Sequence, residues 1–372
     1  MSTYKLDDVC EFITDGTHQT PTYCEDGGVI FLSSKDVTSR KIDWENAKHI
    51  PDELHAKLYK RLAPQRNDIL LAKNGTTGVA AIVDRDDIFD VYVSLAVLRP
   101  KKEIYPHYLL YAINSPVAKR QFNAGLKGIG VPNLHLSVIR NTRINVCNYE
   151  RQVEICDILE KISNVIEARK QELEKLDKLI KARFVEMFNL NDCFYGTFGE
   201  DTDFVDYRGK TPKLSEVGTV RMVNAKSVGK GVFKDVNEYV TEEVYSDWMH
   251  RGFGYPGDVL FVTEGHTFGN TCLVPEYLKK FALGQRVITI KGHKDIVDNV
   301  FLCTYMQLNQ FIQDINIYRT GGTAQGIRSK DLEKVRIPLP EYEMQREFAT
   351  FASQVNKSKF QESTRFHACF PE

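Results

Sequence analysis

Apolar positions along the chain follow several rhythms. Short aliphatic runs (VIFL, DILLA, GVAAIV and VYVSLAVL) are bounded by Gly, Asp and Pro, which predicts strands. PHYLLYAI (106–113) and VFLCTYMQLNQFIQDI (300–315) shift to a helical period, and Pro116 ends the first of them. Beyond residue 149 the period becomes heptad. Ile155, Leu159, Ile162, Ile166, Arg169, Leu173, Leu176, Ile180 and Arg183 recur in steps of four and three, and seven of the nine are apolar. Charged stretches (EARKQELEK, DKLIKAR) flank this seam, and Glu174–Lys178 and Asp177–Lys181 are favourable pairs one helical turn apart. The pattern predicts a coiled-coil helix. The alternative is an amphipathic helix lying on a globule, for which the apolar stripe is narrow.

The same order of segments then occurs again. YERQVEI (149–155) returns as YEMQREF (342–348) at an offset of 193, and TRINV (142–146) returns as VRIPL (335–339). RNDILLAKNGTTGVAAIV (66–83) matches PGDVLFVTEGHTFGNTCLV (256–274), and GGVIFLSSKDV (27–37) resembles VGTVRMVNAKSV (217–228). HQTP (18–21) likewise resembles GKTP (209–212). The chain is therefore two copies of a unit of roughly 190 residues, each a mixed α/β globule ending in a helix. Phe348, Ala352 and Val355 continue the heptad register in the second copy. Two copies in one chain pair most simply about a pseudo-twofold axis, which makes the helices antiparallel. The expected architecture is α+β: globules at 1–147 and 191–340, a spacer helix at 148–190 and a second one at 341–372, the helices forming an antiparallel intramolecular coiled coil. A helix of about 35 residues is about 50 Å long.

Composition narrows the function classes. The 372 residues carry a formal net charge of −1, so any polyanion must be met by local basic patches or basic partners. No apolar stretch reaches the length of a membrane helix, and MSTYKLDDVCEF turns acidic without an export core, so a cytoplasmic protein is expected. None of the eight cysteines forms a C-x-x-C pair, which predicts reduced thiols and no zinc site. GKT at 209–211 lacks the glycine of a phosphate loop, because position 204 is Phe. PDELHAK (51–57) has the letters of a nuclease site without the strand context, and no nucleophile or clustered metal-ligand motif is found.

The ordered set, twice, resembles the specificity subunit of type I restriction–modification systems. It is carried by Thr20-Pro21 and Thr211-Pro212, by DILLAKNGTTG and DVLFVTEGHTFG, and by GGTAQGIRSKDLEKVRIPLPEYEMQREF (321–348) with its weaker twin GIGVPNLHLSVIRNTRINVCNYERQVEI (128–155). The resemblance implies two target-recognition domains that each read half of a split double-stranded DNA sequence, with helical spacers as a ruler. It implies docking of methyltransferase subunits and of restriction (helicase–nuclease) subunits. S-adenosylmethionine, ATP and Mg²⁺ would be used by those partners and no cofactor by this chain, which would be non-catalytic. One turn of DNA is about 34–36 Å, within the reach of such a rod. A coiled-coil scaffold without DNA contact remains the alternative.

Base readout needs amide, hydroxyl or cationic side chains at groove edges, with Lys and Arg also holding phosphates. Two recurrent loops offer them. The first gives Lys73, Asn74, Thr76 and Thr77 in copy one and Thr263, His266 and Thr267 in copy two. The second gives Lys127, Asn133 and His135, and then Arg319, Thr323, Gln325 and Arg328. Lys35 and Lys226 also match. For each, a plain surface-turn role is the competing reading. The helix-opening phrases agree while the globules share only a skeleton, so two readers would read different bases and the expected target is asymmetric. The resemblance weakens at the end: after Val355 the seam positions are Lys359 and Glu362, which predicts a short or truncated second helix and makes a truncated, assembly-deficient specificity allele without DNA recognition a second alternative.

Overall fold

The computed structural model describes residues 1–25, 27–37, 40–126, 132–190, 193–207, 211–319 and 326–369, with side chains through Lys359 in the last helix. The chain forms two compact units, Met1–Ala168 and Arg169–Glu372.

The first unit opens with β1 (Ser2–Lys5), α1 (Leu6–Val9), β2 (Cys10–Asp15), β3 (Val29–Leu32), β4 (Lys48–Ile50) and α2 (Asp52–Leu58). It continues with β5 (Ile69–Ala72), β6 (Ala80–Ile82), β7 (Phe89–Val91) and β8 (Leu95–Pro100). Helices α3 (Pro106–Ile113), α4 (Pro116–Ala124) and α5 (Leu136–Asn141) lead to β9 (Arg143–Val146) and the long α6 (Tyr149–Met187). The strands form an antiparallel sheet β2-β8-β5-β6, a three-stranded sheet β4-β3-β7 with β3 and β7 parallel, and an antiparallel pair β1-β9.

The second unit repeats this order. Its strands are β10 (Phe194–Thr197), β11 (Thr202–Asp206), β12 (Val220–Val223), β13 (Tyr239–Val240), β14 (Val259–Val262), β15 (Thr271–Leu273), β16 (Phe281–Leu283), β17 (Val287–Gly292) and β18 (Arg336–Leu339). Its helices are α7 (Phe198–Asp201), α8 (Glu242–Trp248), α9 (Asn299–Tyr305), α10 (Asn309–Asn316), α11 (Ser329–Leu332) and α12 (Tyr342–Cys369). The sheets β11-β17-β14-β15, β13-β12-β16 and β10-β18 correspond one to one with those of the first unit. β12 and β16 are again the parallel pair.

The apolar runs read as strands because they are covered on both faces. In β5, Ile69 and Leu71 face one core cluster while Leu70 and Ala72 face another. In β14, Val259 and Phe261 divide from Leu260 and Val262 in the same way. Each strand follows a left-handed turn residue, Asn67 at φ 74° and Gly257 at φ 85°. The acid after it differs in its partners. Asp68 receives both Nε and Nη2 of Arg99 at 2.8 Å, whereas burial pushes the Asp258 carboxyl up.

The repeated YExQ phrase opens α6 and α12, and its glutamine explains the repetition. Gln152, buried, accepts from the Tyr105 N–H at 2.8 Å and donates to the carbonyls of Glu103 and Cys147. Gln345, also buried, accepts from the Asp298 N–H at 2.9 Å and donates to the carbonyls of Ile296 and Pro340. Each glutamine clasps the start of the spacer helix to the segment that opens α3 or α9.

Within the second unit, α12 runs antiparallel to the last turns of α6, as the heptad predicts. Asp177 meets Lys359, Arg183 lies 3.9 Å from Glu347, and Phe184 packs against Phe348 with ring centres 5.2 Å apart. Ile180, Phe348, Ala352 and Val355 are buried there, with Leu176 packed alongside. Ile155, Leu159, Ile162, Ile166 and Leu173 are half-buried. Arg183 departs from the expected seam. The buried residues are instead Phe184 and Phe188, which pack on Phe301 of α9. At this end the helix lies on its globule, and the globule pulls the apolar face round from the heptad position. α12 continues helical past Val355, where the seam fails, to Cys369, and is 28 residues long in all against 39 in α6. No helix of the described residues is long and apolar enough to cross a membrane.

Candidate nucleic-acid interface

The two recurrent loops lie far apart in sequence, yet in each unit they meet. In the first, the Lys73 carbonyl accepts from the Leu134 N–H at 2.8 Å, and Asn74 bridges Asn133. In the second, the Thr263 carbonyl accepts from the Ile327 N–H at 2.9 Å, and Glu264 bridges Gly326. A second tie holds each first loop to the strand that follows the sheet crossover. The Lys73 N–H donates to the Ser94 carbonyl at 2.8 Å and the Thr263 N–H to the Arg286 carbonyl at 3.0 Å. Gly75 (φ 74°) and Gly265 (φ 98°) turn the chain at equivalent points, and a side chain at Gly75 would meet nothing. The result, twice, is a composite edge made from segments that share no local sequence.

In the first unit, Asn74, Thr77 and Asn133 are half-exposed there, and Thr76 and His135 are exposed. Lys73 is a correction to the surface reading. It is buried, and its Nζ lies 2.5 Å from the Asp15 carboxylate, which also lies 3.3 Å from His18 Nε2. Arg61 reinforces the same corner by donating to the Asp15 and Gly16 carbonyls. Removing a buried cation from its anion is costly, so Lys73 supports the loop from below and is not presented to a phosphate.

In the second unit, His266 and Thr267 are exposed and Thr263 is buried, its hydroxyl 3.3 Å from the Arg286 carbonyl. Thr263 is thus a framework residue, like Lys73. Arg319 lies over the Phe268 ring at 5.4 Å, which binds the far end of the second loop to the first, and Arg328 is exposed. Glu264 and Arg286 form an ion pair at 2.9 Å on this edge. Lys127, Thr323 and Gln325 lie outside the described residues.

The remaining matched lysines sit elsewhere. Lys35 is exposed in a 3-10 turn, Ser34–Val37. Lys226 pairs with Glu238 at 2.6 Å and, with Asn224, holds that carboxyl below its usual range. PDELHAK falls on α2, where His55 Nδ1 lies 2.7 Å from the buried Asp90, a packing contact between helix and strand β7.

A family model for the type I restriction modification DNA specificity domain matches residues 1–178 and again 203–364. The chain belongs to that family. A putative type I restriction enzyme MjaX specificity subunit from Methanocaldococcus jannaschii is 26% identical over 280 residues, 69% of this chain and 63% of that protein. The type I restriction enzyme MjaVIII specificity subunit of the same organism is 27% identical over 183 residues, 48% of this chain and 43% of that protein. The match therefore spans less than two thirds of the length of either relative. The crystal structure of a type I restriction–modification system S subunit from M. genitalium has the same fold, with a TM-score of 0.56 at 13% identity over 99% of this chain and 92% of that one. Both matched stretches of the specificity family contain the paired loops.

Sequence reasoning missed Asp15, Arg61, Glu264 and Arg286 as parts of this edge. Asp15 and its counterpart Asp206 stand at the same place in β2 and β11, and Asp206 accepts from the Ser329 hydroxyl. That recurrence was a usable signal. Arg286 has none, because its counterpart in the first copy is Ser94.

Proposed function

We infer that this chain is the DNA-recognition subunit of a type I restriction–modification complex, and that each unit reads one half of a split, asymmetric double-stranded target. One observation carries the reading. The same main-chain ties bring two separately repeated loops to one edge in both units, while the side chains on that edge differ. A framework held constant beneath variable polar side chains suits a pair of readers with different sequences. The chain works without catalysis of its own, in the cytoplasm. Methyltransferase subunits using S-adenosylmethionine and restriction subunits using ATP and Mg²⁺ dock on it and supply the chemistry. The spacer helices set the gap between half-sites.

The test is methylation or binding by the assembled complex across a duplex library randomised in each half. Replacing Asn74, Thr76 and Thr77 with Ala should relax one half-site by about 1–3 kcal/mol per lost base contact and spare the other. Equal relaxation of both halves would refute separate readers.

A further inference from the structure

The composite edges of the two units differ in kind: the second carries an ion pair, Arg286 with Glu264, where the matched positions of the first carry no charge. Arg286 precedes β17 and is tied to the first loop by its own backbone, since its carbonyl takes the Thr263 N–H. Its Nε donates to Glu264 Oε1 at 2.9 Å, with both side chains about half exposed (54% and 50%). Its Nη1 is the nearest neighbour of the space beside Gly265, at 3.9 Å from where a side chain there would begin. Glu264 also carries the bridge to the second loop at Gly326. In the first unit the corresponding residues are uncharged: Ser94, buried, accepting from the Ser34 N–H at 3.0 Å, and Asn74.

We propose that Arg286, oriented by Glu264, is a specificity-determining residue that reads a guanine in the half-site of the second unit. This rests on the DNA-recognition reading above. A planar guanidinium matches the O6 and N7 acceptors of guanine with two parallel donors, a fit that lysine's point charge lacks. The carboxylate at Nε fixes the plane and leaves the terminal nitrogens as the donating edge. The same carboxylate argues against a phosphate as the ligand, because Glu264 would face it with like charge. Toward a base pair, Glu264 is favourable instead, since a carboxylate accepts from the N4 amino group of the paired cytosine.

The experiment uses the assembled complex and the library randomised in both half-sites, read at two salt concentrations, for wild type, Arg286→Ala, Arg286→Lys and Glu264→Gln. Both Arg286 variants should lose preference for guanine at one position of one half-site by roughly 5- to 100-fold, with the other half-site unchanged. Glu264→Gln should weaken the same preference without abolishing it. The intact half-site reports folding and assembly within each sample. Uniform weakening over all sequences, with a salt slope smaller by about one, would make Arg286 a phosphate contact and overturn the proposal. Unchanged preference would overturn it as well. If wild type shows no split preference at all, the recognition reading itself falls, a separate result.

Discussion

Ser94 and Arg286 stand at the same place in the two units, each giving its carbonyl to the residue that starts the first loop. Ser94 is buried under Ser34, whereas Arg286 reaches out to Glu264. Across the same tie the contrast recurs: Lys73 turns inward onto Asp15, and Thr263 has no charge to place. Below the loops the differences fade. β5 and β14 bury alternate residues on two faces, and Gln152 and Gln345 make the same three hydrogen bonds. Main-chain hydrogen bonds are indifferent to side-chain identity, so the ties fix where the loops lie and leave their chemistry free to diverge.

The sharpest way to break this comparison is at the acid before the central strand. Asp68→Asn should destabilise the first unit by about 3–5 kcal/mol, because it leaves the Arg99 guanidinium without its bidentate anion. Asp258→Asn should cost about 1 kcal/mol or less, since no ion pair to Asp258 is present among the described residues and burial already opposes its charge. Urea unfolding followed by amide exchange in β5 and β14 measures both, and equal losses would show that the two turns are energetically alike.

A symmetric outcome is expected at the clasps. Gln152→Ala and Gln345→Ala each strand one N–H and two carbonyls, at a cost of about 2–3 kcal/mol in their own unit. Exchange protection should fall first at the starts of α3 and α9. A large loss in one unit with none in the other would mean that the repeated phrase has different work in the two copies.

The smallest effect is expected at Lys226. The pair with Glu238 is largely exposed on the lysine side, so Lys226→Met should cost about 0.5 kcal/mol or less at neutral pH. Glu238 is held below its usual range chiefly by Lys226, so its contribution is present above the ordinary carboxylate range and is lost as pH falls through the lowered folded value. Stability of the variant should therefore fall less steeply between neutral pH and the acid limb. An unchanged pH profile would show that Asn224 alone sets the carboxyl.

The repeat, the strands of both globules and the long helices were legible because they rest on periodicity and on recurrence within the chain. The two loops were legible as candidates for the same reason. Their meeting was not, because Lys73 and Leu134, or Thr263 and Ile327, are joined only by backbone bonds that leave no trace in residue type. Lys73 was misplaced because a lysine reads as exposed until its partner is known, and Asp15 lies in a different strand. Arg183 took the heptad position in the sequence, but Phe184 took the buried one once Phe301 offered an aromatic face.

The backbone clip between the loops also bears on how such a protein can change over generations. Each composite edge is written in two places, one before β6 or β15 and one before α5 or α11. A genetic exchange that falls between those places would join half of one edge to half of another and scramble both. An exchange within the repeated phrase at 149–155 or 342–348 would carry each edge across whole, with a clasping glutamine present on either side of the join. The fold thus marks where its text can be cut without spoiling a word.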